Sequence, residues 1–132
     1  MQIIKSFFKY HFGFVFLSTG IFVLSSVPGD SFPEITLDFG DKIVHVFLYF
    51  LLMIFTYISF AEQKIADLKD NVLILSFLFA VLYGVSDEIH QYFVPNRLLD
   101  FYDILANAAG AAIGMVTIMI IIKRKIKLTT IK

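Results

Sequence analysis

The chain has 132 residues, 58% of them hydrophobic, and a mean hydropathy of +0.82. That balance belongs to a membrane protein rather than to a soluble core of the same length. Eleven basic and 11 acidic residues give a formal net charge of zero, which argues against nucleic acid as a partner, and the absence of cysteine removes disulfides and thiolate metal ligands.

A membrane-crossing helix needs about 20 mainly apolar residues. The first stretch that qualifies runs from about Tyr10 to Val27 and stops at Pro28-Gly29. Lys5 and Lys9 before it and Ser25-Ser26 within it resemble a signal peptide. Its 18 residues exceed the usual core of about 7–15 residues, however, and no A-x-A-like site follows, so it is read as a permanent helix. The second stretch, Ile43 to Phe60, holds one ionisable group, His45. The third runs from Val72 to Val94 and the fourth from Phe101 to Ile122. Pro95-Asn96-Arg97-Leu98 between them is long enough only for a turn, which makes the last two helices an antiparallel hairpin. The expected fold is all-α: one domain over residues 1–132, an integral membrane four-helix bundle.

The basic residues are split unevenly between the two sides of such a bundle. Lys5, Lys9, Lys64, Lys69, Lys123, Arg124, Lys125, Lys127 and Lys132 fall on one side, and Lys42 and Arg97 on the other. By the positive-inside rule both termini are cytoplasmic. The first loop, with Asp30, Glu34, Asp38 and Asp41, and the turn at Pro95 then face outward. Lys123-Arg124-Lys125 reads as an anchor to anionic lipid headgroups.

Charged groups within hydrocarbon cost at least about 2.5–3.5 kcal/mol near a helix centre, so their depth is informative. His45 lies four residues beyond Asp41, about 6 Å below the outer end of its helix. Asp103 and Asn107 lie about 3 and 9 Å below Phe101. Asp87, Glu88, His90 and Gln91 come in the outer third of the third helix. Three helices thus bring polar groups to one level, while their inner halves stay apolar. Asp41 and His45 share a helix face, as do Asp103 and Asn107.

Other roles compete for some of these residues. Asp100 suits the N-cap of the fourth helix, and Asp41 suits either a cap or the site. Gly110 and Gly114 read as a close-packing helix face, and His11 as an interfacial residue.

The same residues carry a family resemblance. Glu88-x-x-Gln91, Pro95-x-Arg97, the pair Asp100 and Asp103, Asn107, Gly110 and Gly114 resemble the pattern of the VanZ-like family of small bacterial membrane proteins. Asp41-Lys42-x-x-His45 is similar to the opening of that family's second helix. The resemblance covers Asp41 to about Gly114 and implies Asp41, Lys42, His45, Glu88, Gln91, Arg97, Asp100, Asp103 and Asn107 as the family's characteristic positions. Asp87 and His90 stand where the family usually has apolar residues. It also implies residence in the bacterial cytoplasmic membrane and a link to low-level resistance to the glycopeptide teicoplanin.

Three kinds of function fit this layer. The first is an extracytoplasmic binding site for an anionic or lipid-linked ligand, such as a cell-wall precursor or a lipoglycopeptide, with Arg97 as a planar donor to phosphate or carboxylate. A structural ion pair from Arg97 to Asp100 or Asp103 is the competing reading of that residue. The second is an intramembrane enzyme using His45 or Glu88 as general base. The third is a packing or partner subunit whose polar layer only clamps the helices. His45, Asp41, Glu88 and Asp103 offer mixed nitrogen and oxygen ligands, but no motif with metal or cofactor spacing accompanies them, so neither a metal nor a cofactor is assigned. Membrane lipids are the one partner that composition itself implies.

Overall fold

The structure is a computed structural model that describes residues 2–31, 40–63 and 71–130. Glu34, Asp38, Lys64, Lys69 and Lys132, which entered the charge reading, lie outside the described residues. Among those described, all regular structure is helical: α1 Gln2–Tyr10, α2 Phe12–Ser25, α3 Gly40–Ala61, α4 Val72–Tyr92 and α5 Phe101–Thr130, with one 3-10 turn at Gly29–Ser31. α3, α4 and α5 are each long and apolar enough to cross a membrane. α1 and α2 reach that length only as a pair bent by 59°, so the chain has three spans, or four if the bent pair is one.

The first span therefore differs from the unbroken helix expected over Tyr10–Val27. α2 has 14 residues, about 21 Å at 1.5 Å per residue, which falls short of a hydrocarbon core of about 30 Å. Contacts with α3 account for the break. His11 Nδ1 lies 2.8 Å from Ser59 Oγ, and Gly13 leaves room for the Phe55 ring where a Cβ would collide. Such small residues and side-chain insertions are the usual sites of helix kinks.

The three long helices begin close to where apolar runs predict. α5 continues eight residues beyond Ile122, because Lys123, Arg124, Lys125 and Lys127 are good helix formers even though they end the apolar run. α4 stops at Tyr92, and the Phe93 and Val94 amides donate to His90 O and Gln91 O in a tightened last turn.

The largest interface joins α3 to α5. Gly110 and Gly114 make it possible: a Cβ at Gly110 would meet the Val46 carbonyl oxygen, and one at Gly114 would lie 2.9 Å from the Met53 side chain. Without side chains at these positions the two backbones approach closely, the packing used where lipid gives no hydrophobic drive. Tyr49, Leu52, Met53, Ala80, Ala111 and Ile118 fill the core with Ile21 of α2. Phe16, Phe47, Leu82 and Ile113 point outward, as lipid-facing residues must.

The α4–α5 turn is tied to the end of α2. Asn96 adopts a left-handed conformation with φ 57°, which Asn tolerates better than most residues. The Gly29 amide donates to Pro95 O at 3.1 Å, and a Cβ on Gly29 would run into the Asn96 carbonyl. Antiparallel succession then brings the start of α3, the end of α4 and the start of α5 together at one end of the bundle.

Candidate functional site

Lys42, in the first turn of α3, is the hub of that end. Its Nζ lies 2.8 Å from Asp41 Oδ2, 2.6 Å from Asp100 Oδ2 and 2.6 Å from Asp103 Oδ1. Asp100 does two jobs. Its Oδ1 accepts the Tyr102 amide at 2.8 Å, capping α5, while Oδ2 meets Lys42. The Lys42 ammonium and the Tyr102 amide together hold the Asp100 carboxyl below the usual carboxylate range.

One turn deeper lie His45, Glu88, Asp103 and Asn107, one or two from each long helix. His45 Nδ1 is 2.9 Å from Asn107 Oδ1. A carbonyl oxygen can only accept, so Nδ1 carries the hydrogen, which in the neutral ring leaves the lone pair on Nε2. That Nε2 faces Asp103 Oδ2 at 3.8 Å, and Nδ1 is 3.9 Å from Glu88 Oε1. Glu88 is fully buried. Its Oε2 accepts the Asp100 amide at a long 3.4 Å, while Oε1 has no hydrogen-bond partner among the described residues. Asn107 Nδ2 is likewise buried without a hydrogen-bond partner among the described residues. Unsatisfied buried polar atoms are rare, and two in one region call for an explanation. One ligand atom each from His45, Glu88 and Asp103 can be chosen so that all lie within 4.8 Å of one another.

The structure thus gathers Asp41, Lys42, His45, Glu88, Asp100, Asp103 and Asn107. It sends two other expected members elsewhere. Gln91 Nε2 donates to Ser25 Oγ at 3.3 Å and to Asp87 Oδ2 at 3.4 Å, within a second buried cluster in which Ser25 donates to Asp87 Oδ1 at 2.5 Å. Arg97 reaches the last carbonyls of α2, with Nε 3.3 Å from Val27 O and Nη2 3.4 Å from Leu24 O. Asp87 is therefore part of the α2–α4 packing, and His90 stacks on Phe22 at 4.8 Å with its Nε2 3.0 Å from Ser26 Oγ. Gly110 and Gly114 lie on the α3-facing side of α5, below the site.

Sequence reasoning passed over Ser25 and Tyr49. Both carry a readable signal: Ser25 is four residues beyond the buried Ile21, and Tyr49 four beyond His45, each on the inward face of its helix.

A family model described as VanZ/LLP1 matches residues 2–123. Among curated proteins, an uncharacterized protein of the fission yeast Schizosaccharomyces pombe is 26% identical over 95 residues, covering 72% of this chain and 56% of that protein. The chain thus spans about half the length of that relative. No solved structure matches.

Proposed function

This chain belongs to the VanZ/LLP1 family and is a multi-pass membrane protein, and from that premise we propose that it binds the headgroup of a lipid-linked ligand at the His45–Glu88–Asn107 end of its bundle. The observation that carries the reading is the pair of buried atoms without hydrogen-bond partners among the described residues, Glu88 Oε1 and Asn107 Nδ2. One is an acceptor and the other a donor. A headgroup with hydroxyl and phosphate oxygens satisfies both, the hydroxyl donating to Glu88 and a phosphate oxygen accepting from Asn107.

The surroundings favour an amphiphile. Leu98, Leu99, Phe101 and Tyr102 are exposed beside Asp100, an apolar rim against which an acyl or polyprenyl tail can lie. Lys42 is shared among three carboxylates, which favours recognition through neutral donors over direct charge pairing to an anion. A relative in a fission yeast favours a headgroup common to bacterial and eukaryotic membranes over one peculiar to bacterial cell walls. A lipid-linked cell-wall precursor or a lipoglycopeptide such as teicoplanin shares the polar head and apolar tail, but not the occurrence in both kinds of membrane.

The orientation belongs to the same proposal. Lys5, Lys9, Lys123, Arg124, Lys125 and Lys127 lie toward the opposite end from the site, so the positive-inside rule makes both termini cytoplasmic and opens the site to the outer leaflet of a bacterial cytoplasmic membrane.

The test compares lipids that co-purify with the wild-type chain and with Glu88→Gln in the same detergent, extracted and identified by mass spectrometry. A phosphate-bearing lipid enriched in the wild type and depleted in the variant is the expected result. The same lipid profile in both would remove the basis of the proposal.

A further inference from the structure

The geometry points to a divalent metal site formed by His45, Glu88 and Asp103, taking a first-row ion such as Zn²⁺ or Mn²⁺. The sequence alone assigns no metal here, because the three residues come from three helices and no spacing links them. The site shares Glu88 Oε1 with the headgroup reading and gives that atom to the ion, and metal binding is measured without added lipid so that the two readings can fail separately.

The donor set is the first argument. One imidazole nitrogen and two carboxylates, one ligand atom from each lying within 4.8 Å of one another, form the mixed nitrogen and oxygen environment that zinc and manganese accept. Two atoms each about 2.1 Å from a metal are about 3.0–4.2 Å apart for inter-ligand angles between 90° and 180°. The 3.8 Å between His45 Nε2 and Asp103 Oδ2 falls inside that range.

The second argument is the imidazole's orientation. A metal-ligating histidine almost always donates its other ring N–H to an oxygen that fixes the tautomer and the ring plane. Asn107 Oδ1 does this for His45 at 2.9 Å and leaves the Nε2 lone pair turned toward a carboxylate. A lone pair and a carboxylate oxygen repel each other unless a proton or a metal ion lies between them.

Glu88 Oε1 belongs to a side chain with no exposed surface and lacks any hydrogen-bond partner among the described residues. Three carboxylates, of Asp41, Asp100 and Asp103, share the Lys42 ammonium, and Glu88 lies beside them on the Asp100 amide, so a doubly charged ion would offset most of the charge the lysine leaves over. Asn107 Nδ2, buried and also without a hydrogen-bond partner among the described residues, is a donor well suited to a water held on the ion.

The experiment uses the full chain, purified in detergent and stripped with a chelator, titrated with Zn²⁺ and with Mn²⁺ by equilibrium dialysis. One ion per chain is expected, with affinity lowered at least about tenfold by Glu88→Gln and by His45→Gln. Asp87→Asn, which alters the Ser25–Gln91 cluster instead, should retain the full stoichiometry. Far-UV circular dichroism establishes that each variant keeps its helices. Should Glu88→Gln fail to fold, Co²⁺ added to the wild type gives a second readout, since the position and intensity of its d–d bands depend on its ligands and His45→Gln should change them. Undiminished binding in Glu88→Gln would put the ion on surface carboxylates and overturn the site, as would the absence of binding at millimolar metal.

Discussion

Asn107 Oδ1 takes the Nδ1 hydrogen of His45 across 2.9 Å, joining α5 to α3 through residues 62 positions apart in the chain. Asn107→Leu keeps the volume but removes the acceptor, leaving an imidazole N–H inside the bundle with nothing to bond. Interhelical hydrogen bonds in membranes contribute about 0.6 kcal/mol on average and up to about 1.7. A double-mutant cycle with His45→Leu, followed by thermal unfolding in detergent, should give a coupling energy in that range. A coupling of zero would mean that the two side chains do not meet.

Lys42 is the next point of sensitivity. Lys42→Met removes the one ammonium that Asp41, Asp100 and Asp103 share, leaving three carboxylates to repel one another. Breaking a buried pair from one side costs about 3–5 kcal/mol, and the partial exposure of Asp41 and Asp100 brings the expectation down to about 2 kcal/mol. Adding Asp103→Asn should recover part of the loss, since Asp103 is the most buried of the three partners. A midpoint for the double variant no higher than for Lys42→Met would contradict this account of the charge balance.

Gly110 and Gly20 form a matched pair for testing the α3–α5 interface. A Cβ at Gly110 meets the Val46 carbonyl, while one at Gly20 meets nothing within 4 Å. Gly110→Ala should therefore separate the helices and destabilise the chain by about 1–3 kcal/mol. Gly20→Ala should be neutral or stabilise by up to about 1 kcal/mol through helix propensity. Unfolding midpoints of the two variants in one detergent check both.

The seam between α2 and the α4–α5 turn predicts a local effect. Arg97→Ala removes donors from Leu24 O and Val27 O, so the amides of residues 24–27 and of Gly29 should exchange hydrogen faster while the middle of α5 stays protected. Exchange that rises evenly along the whole chain would argue instead for a global role of Arg97.

Most of the transmembrane architecture was legible in the sequence because lipid demands long apolar runs, and α3, α4 and α5 are such runs. The break at His11 was not, since apolar content continues across it and the bend comes from Ser59 and Phe55 on another helix. Common depth grouped Asp41, His45, Glu88, Gln91, Asp103 and Asn107, and the family resemblance added Lys42, Arg97 and Asp100, but depth says nothing of azimuth. Gln91 sits one turn from Asp87 and turns with it toward Ser25, and Arg97, in an irregular turn, has no periodicity from which its direction could be read.

The overlong α5 has a practical consequence. Its 30 residues extend about 45 Å against a hydrocarbon slab of about 30 Å, so its last turns form a stiff stalk beyond the lipid. A fluorescent protein spliced directly after that stalk would be carried at a set angle to the bilayer instead of tumbling on a tether. Polarised emission from such a fusion would read out helix tilt in intact vesicles.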